Sequence, residues 1–374
     1  MHFAASRTDL AEATAAVVGV ADRKNASSVF DHMLVRAGPD GLEVRAQDPE
    51  VWSRYSCPAA EVVEEGAAAV PAWAIHSLVS RLPKGATVVV RSTGPGAVEV
   101  VSGRTTAQFP ALAASDYPLA PDERHTDDEC SALVSGGALR SLARVVFAAS
   151  SDPARPGLCG ARIEVVGRTI RLVATDGHRL AMSECALSAP ADHGIEAIVP
   201  TKWLTVLGRA IGAGPDREVG IVFRGDTVTC EVDRRAEITA RLIDASFPDY
   251  RRVVLPLRPA TPANVDGDEL SEVLSRLPPC TRGKASLVGL RLADGELEVS
   301  GEDPVLGRTS ERIGAEFRGP VTAQSFNLRY LRDALKTVPP GAGISLALSD
   351  DKGPMFIRFG GPAPCEHVVM PVRP

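Results

Sequence analysis

Apolar residues recur at helical spacing in three separate stretches of the chain. Thr8–Val20 carries Leu10 on its apolar face, and Gly136–Ala149 carries Leu139, Leu142, Val145 and Val146. Asp268–Leu277 carries Leu270, Val273, Leu274 and Leu277. Steps of three and four residues predict one buried helix face in each. The marker leucines Leu10, Leu139 and Leu270 lie about 130 residues apart, a domain-sized period rather than that of a solenoid.

Each third also predicts a second helix, a stop and a strand. Trp73–Leu82 runs into Pro83-Lys84-Gly85 and then Thr87–Val90. Lys202–Ile211 runs into Gly212–Pro215 and then Val219–Phe223. Leu328–Val338 runs into Pro339-Pro340-Gly341 and then Ile344–Leu348. Proline and glycine after a periodic segment end a helix. Short alternating runs lie between the helices: Gly41–Ala46, Val98–Ser102, Thr227–Val232 and Glu296–Ser300. Alternation suits antiparallel strands with one wet face. The first two thirds even close alike, on Ala114-Ser115-Asp116-Tyr117-Pro118 and Ala245-Ser246-Phe247-Pro248-Asp249-Tyr250. The expected fold class is α+β: three repeated domains, each with two helices packed on antiparallel sheet. The joins fall near Pro121-Asp122-Glu123 and Leu257–Pro262. This places the domains at 1–122, 129–254 and 262–374.

The nine residues Val173–Ala181 predict a hairpin. Ile170–Ala174 is apolar and β-prone, and Asp176-Gly177 suits the two positive-φ positions of a type I′ turn.

Bulk properties narrow the class. The chain has 374 residues, enough for two to four domains at about 100–200 residues each. Apolar residues make up 44% and charged residues 24%, as in a soluble globular protein. A net charge of −6 argues against tight, free-standing affinity for nucleic acid, although the distribution of charge matters more than its sum. The seven cysteines (Cys57, Cys130, Cys159, Cys185, Cys230, Cys280 and Cys365) form no C-x-x-C pair. Their odd number and wide spacing predict reduced thiols in the cytoplasm. No signal peptide and no membrane span are expected, since Asp9 and Glu12 interrupt the first apolar run.

No catalytic signature stands out. H-E-x-x-H, paired cysteine ligands, a phosphate loop and Gly-x-Ser-x-Gly are all absent, so neither an enzyme nor a cofactor is expected. Asp176 beside His178 is a weak exception.

Three segments together resemble the bacterial sliding clamp family, the β subunit of DNA polymerase III: Val173–Ala181, Leu242–Val253 and the tail Val368–Pro374. Phe326-Asn327, Tyr330-Leu331 and Asp333-Ala334-Leu335 are similar to that family's last helix and its entry. The resemblance implies a head-to-tail homodimer closed into a ring around duplex DNA, with helices lining the hole. It also implies a groove that takes short linear peptides from DNA polymerase and clamp-loader subunits and from repair proteins. The matching groove positions are Leu158, Thr175, Gly177, His178, Arg179, Leu180, Pro248, Arg252 and Val253, completed by Val368, Val369, Met370, Pro371, Val372 and Arg373. An apolar trough lets a few peptide side chains carry most of the affinity, and Met370 adapts to different occupants. On this resemblance Arg179, Arg252 and Arg373 would fix the peptide's polar end.

DNA contacts in such a ring are sequence-independent and directed at phosphates, because the ring must slide. The implied residues are Arg23, Lys24, Arg140, Arg144, Lys202 and Arg209, with Arg276, Arg332 and Lys336 as further candidates. The chain departs from the family pattern in three places. Lys24–Phe30 lacks proline, Ser151–Gly157 has no aromatic residue to meet DNA, and Pro279–Lys284 is polar where the family offers an apolar subunit contact. Two functions stay open here: a processivity clamp, or a specialised paralogue that keeps the groove as a drug-tolerant spare or a decoy.

Overall fold

The structure is a computed structural model, and it describes residues 1–21, 29–118, 129–191, 193–211, 217–254, 261–277, 287–303, 307–349 and 353–372. The chain divides into two compact units. One is Met1–Arg140 with Val165–Arg168 and Leu187–Ile243; the other is Ser141–Glu164 with Thr169–Ala186 and Asp244–Pro374.

The first unit is built on two antiparallel sheets. A nine-stranded sheet runs Leu112–Ala113, Gly66–Pro71, His32–Gly38, Gly41–Gln47, Val51–Cys57, Ala236–Arg241, Thr227–Val232, Glu218–Arg224 and Glu129–Ser135. The first two repeats are joined in it by one strand pair, from Val51↔Ala240 to Tyr55↔Ala236. A five-stranded sheet runs Glu61–Glu64, His2–Ser6, Thr87–Gly94, Ala97–Ser102 and Thr105–Pro110. Helix α1 (Arg7–Val18) packs on α2 (Ala72–Arg81) and buries Leu10, Ala13 and Val17. The Ser6 hydroxyl caps α1 by accepting the Asp9 N–H.

The second repeat opens with α3 (Gly136–Leu142). The predicted helix over 136–149 does not stay α-helical, because Ala143–Ala148 tightens into 3-10 geometry. The β-branched pair Val145-Val146 favours continued helix least in that stretch. Its second helix, α4 (Thr201–Ala210), follows Pro200 as α2 follows Pro71, and buries Trp203, Leu204 and Leu207.

In the second unit six antiparallel strands run in the order Thr169–Thr175, Arg179–Ala186, Cys365–Val369, Met355–Phe359, Gly343–Leu348 and Ala263–Asp266. Gly160–Val166 lies beside the first of them. A four-stranded sheet runs Gly307–Gly314, Glu296–Asp303, Leu287–Ala293 and Thr322–Asn327. After the short α5 (Arg251–Val254), α6 (Gly267–Arg276) and α7 (Leu328–Leu335) pack on each other. They bury Leu270, Val273, Leu274, Leu328, Leu331 and Leu335 in a core shared with Val288, Phe326, Leu346 and Ile357. Asp266 and Asn327 cap α6 and α7.

Candidate functional site

Cross-strand register assembles an apolar floor from segments far apart in sequence. Thr175 pairs with Leu180, Leu180 with Val368, Val368 with Phe356 and Phe356 with Ala347. Residues directly opposite across a ladder share a face, so these five form one row. Val173 and Met182 begin the next row on the same face. Phe247, Tyr250 and Val254 cover it, and they pack with Val173, Leu180, Ala347, Phe356 and Val368 as one cluster. The floor is therefore hydrophobic because alternate residues of five strands are, and the segment Phe247–Val254 forms its wall.

The turn at one end is held by side chains. The Thr175 hydroxyl donates to the Arg179 carbonyl at 2.7 Å and accepts the Gly177 N–H at 3.1 Å. Asp176 Oδ1 accepts the N–H groups of His178 and Arg179. Among Asp176, Gly177 and His178 only Gly177 has positive φ, at 91°. The turn thus centres on Gly177-His178 with the sign pattern of type II′, not the type I′ turn expected at Asp176-Gly177. The Asp176 carboxylate spans the turn instead of occupying a left-handed position. Arg155 braces it from outside, donating to the Asp176 carbonyl at 3.0 Å.

The tail docks on this turn. The Met370 N–H donates to the His178 carbonyl at 2.9 Å, and the Val372 N–H to the Ser325 carbonyl at 2.8 Å. Val368 and Val369 are buried on opposite faces of their strand, while Met370, Pro371 and Val372 are half-buried. The His178 ring stacks on Tyr330 of α7 with centroids 6.5 Å apart.

Models of the DNA polymerase III beta subunit match end to end: its N-terminal domain over residues 1–121, its central domain over 136–249 and its C-terminal domain over 252–373. The chain belongs to the DNA polymerase III beta subunit family, the sliding clamps. The beta sliding clamp of Pseudomonas putida is 29% identical and that of Vibrio cholerae 27%, each match covering 100% of both chains. The Pseudomonas aeruginosa clamp bound to griselimycin superposes with a TM-score of 0.83 at 28% identity, covering 100% of both chains. The Thermotoga maritima beta subunit gives 0.86 at 22% identity, again covering 100% of both chains, and speaks to the fold alone.

The clamp fold brings most of the sequence-predicted groove residues together. Thr175, Leu180 and Val368 lie in the floor, and Gly177, His178 and Met370 form its end. Leu158 sits in a 3-10 turn, Pro156–Leu158, whose Gly157 abuts the Ser246 carbonyl beside the wall. Pro248 is exposed on the wall, and the Arg252 side chain is 86% exposed, paired to Asp249 at 2.9 Å. The Val253 side chain and Arg373 lie outside the described residues.

Arg179 departs from its expected role. Strand alternation turns it to the face opposite Leu180. Its side chain is 8% exposed, and the guanidinium is spent internally on Asp176 at 3.1 Å, Asp333 at 2.9 Å and the Phe147 carbonyl at 2.6 Å. It also lies over the Tyr330 and Phe147 rings, 4.6 Å and 5.1 Å from their centroids. A guanidinium so engaged orders the site rather than greeting a ligand.

The basic candidates are similarly mixed. Arg23 and Lys24 lie outside the described residues. Arg140 and Arg144 are partly exposed. The Lys202 ammonium pairs with Asp48 and donates to the Val20 carbonyl, and Arg209 lies over the Trp73 ring. Arg276 is bound to Glu311, and Arg332 caps the carbonyls of Leu274 and Ser275.

Sequence reasoning missed Phe356, Ala347, Met182, Phe247, Tyr250 and Val254 as site residues, and Phe147 and Asp333 as the partners of Arg179. The apolar run Met355–Phe359 is consistent with a strand, but only the register places Phe356 beside Val368. Among the described residues no group of three or more His, Cys, Asp or Glu is placed to hold a metal ion, and no helix is long and apolar enough to cross a membrane.

Proposed function

We propose that two copies of this chain close head to tail into a ring around duplex DNA, and that its groove tethers replication and repair proteins by short peptides. The observation that carries the groove is the row Leu180, Val368 and Phe356 under the wall of Phe247 and Tyr250. A peptide's leucine or phenylalanine laid there leaves water, at roughly 1.5–3 kcal/mol for each fully buried side chain. His178, Met370, Pro371 and Val372 rim the groove, and Arg252 faces solvent where it can meet a polar peptide end. Griselimycin, which the Pseudomonas aeruginosa and Bartonella birtlesii clamps bind, is an expected ligand.

Two sheet edges support the ring. In the five-stranded sheet one edge, Glu61–Glu64, is short and carries two carboxylates, whereas the other, Thr105–Pro110, has six residues and no charge. Charged short edges resist pairing and neutral longer ones invite it. In the four-stranded sheet the tail's Val372 bonds Ser325 on one edge strand, Thr322–Asn327, and Gly307–Gly314 is the other edge. The charges on that edge are paired inward, Arg308 with Glu298, Arg312 with Glu296 and Glu311 with Arg276. Joining these edges between two copies extends both sheets and closes a two-fold ring. A closed ring holds DNA by topology, so weak phosphate contacts from Arg23, Lys24, Arg140, Arg144 and Arg209 suffice and leave it free to slide, while Lys202 is engaged by Asp48 and the Val20 carbonyl.

The test is a titration of a fluorescent clamp-motif peptide ending in Leu-Phe. Met370→Ala, or deletion of the last five residues, should abolish binding without unfolding the chain; unchanged affinity defeats the groove reading. Sedimentation at micromolar concentration should give the dimer mass, and a single-chain mass defeats the ring. Processive synthesis after loading on primed DNA separates a working clamp from a spare or decoy paralogue.

A further inference from the structure

The apolar floor continues, on the same face of the sheet, into a charged strip. Arg171 lies two residues before Val173 and opposite Glu184, as Val173 lies opposite Met182. Beside it stand Arg162 and Glu164 on the strand Gly160–Val166. Glu164 is the centre of this strip. Its side chain is 5% exposed, and its two oxygens take four donors. Oε1 accepts Arg162 Nε at 2.7 Å. Oε2 accepts Arg251 Nη2 at 2.6 Å, the Tyr250 hydroxyl at 3.1 Å and Arg171 Nη1 at 3.4 Å.

Two of those donors belong to the groove wall. Tyr250 packs its ring in the apolar cluster and sends its hydroxyl to Glu164, so it is a strut with one foot on each strip. Arg251, the next residue, binds the same carboxylate oxygen and lies over the Tyr250 ring at 5.1 Å. Phe247, at the other end of the wall, lies under Arg162, whose guanidinium is held by Glu164. One buried carboxylate therefore gathers the anchors of a wall that has only the short α5 as regular structure. Without that charge Arg162, Arg171 and Arg251 lose the acceptor they share, although Arg171 keeps Glu184 at 2.5 Å, and breaking an ion pair at a buried carboxylate costs more than the pair contributes.

We propose that Glu164 is a positioning residue for peptide capture: it touches no ligand, but its charge sets the wall Phe247–Val254 at the height above the floor that the peptide needs. This role presupposes the groove proposed above, and the two are separable by experiment. In the full-length chain, Glu164→Gln keeps the shape and removes the charge. The labelled Leu-Phe peptide should bind about tenfold more weakly, the scale of lost hydrogen bonds to an ionised group. Amide exchange should accelerate in Phe247–Val254 and not in the strands beneath. Tyr250→Phe, which removes one hydroxyl, should shift both readouts in the same direction by a smaller factor, and it decides the matter if Glu164→Gln does not fold. Unchanged affinity in folded Glu164→Gln, or in Tyr250→Phe where that variant stands in, overturns the role, as does faster exchange spread evenly over the sheet. Leu180→Asp, which charges the floor itself, is the control: if it binds the peptide like the parent chain, the groove reading has failed, not the Glu164 role.

Discussion

Arg179 Nη1 lies 2.9 Å from Asp333 Oδ2, a bond that joins the hairpin turn to α7 across 154 residues of chain. The same guanidinium holds the Asp176 carboxylate and the Phe147 carbonyl. The turn that carries His178, the helix that carries Tyr330 and the 3-10 segment that carries Phe147 thus share one cation.

Arg179→Ala should therefore cost stability before it costs binding contacts. It removes a buried charge with three acceptors and leaves the Asp333 carboxylate to the exposed cations Lys336, at 3.4 Å, and Arg329, at 3.8 Å, a change on the order of 3 kcal/mol. Asp333→Ala should cost less, about 1–2 kcal/mol, because Asp333 is partly exposed and the guanidinium keeps its other partners. Urea unfolding of the two single variants and the double variant checks this. A double variant that loses the sum of the singles would show that the pair is not coupled.

The fold was legible in the chain because its signals are local and repeated. Leu10, Leu139 and Leu270 mark helices by spacing alone, and Pro83-Lys84-Gly85 and Pro339-Pro340-Gly341 mark where helices stop. Half of the site was legible for a different reason. Leu180 and Val368 stand in segments whose residue order is distinctive. Phe356 was not legible, because its neighbourhood to Val368 is a matter of strand register between segments that carry no mark of each other. The direction of Arg179 was readable in principle from the period of two, which puts it opposite Leu180. Its partners Phe147 and Asp333 were not, since no spacing links them to the turn. The Asp176-Gly177 pair misled on turn type because the dipeptide scores for a left-handed Asp, whereas here the Asp side chain is worth more as an acceptor for two N–H groups.

Gly157→Ala should weaken the site without touching its floor. A Cβ built there falls 2.3 Å from the Ser246 carbonyl oxygen, a backbone atom that no side-chain rotation can move aside. The turn Pro156–Leu158 must back away from the wall, at a cost of about 1–3 kcal/mol. Peptide affinity and thermal stability should both fall. A variant equal to the parent in both would mean that the loop relaxes freely.

The edge strand offers a way to separate assembly from capture. Thr106→Lys with Gln108→Lys puts two charges on the neutral edge Thr105–Pro110, where both side chains are exposed. The double variant should sediment as a single chain at micromolar concentration while its peptide affinity stays within about twofold of the parent, as expected for distant independent sites. A variant that remains a dimer would exclude this edge from the ring contact.

His367 gives the stability of the second unit a pH dependence whose sign can be worked out. The ring is 1% exposed, lies edge-on to Phe147 and Phe359 at 5.0 Å and 5.3 Å, and has the Thr337 hydroxyl 3.5 Å from Nε2. Burial first, and the Arg179 charge second, push its pKa down to about 3. In the unfolded chain the same ring titrates near about 6.5. Between those values the unfolded chain binds a proton that the folded chain refuses. The contribution is thus complete above about pH 6.5 and is lost as pH falls toward about 3, at no more than about 1.4 kcal/mol per pH unit. Unfolding free energies at pH 7.5 and 5 should differ more for the parent than for His367→Gln, by about 2 kcal/mol. Equal slopes for the two proteins would mean that His367 takes up its proton in the folded state, which its apolar ring neighbours and Arg179 oppose.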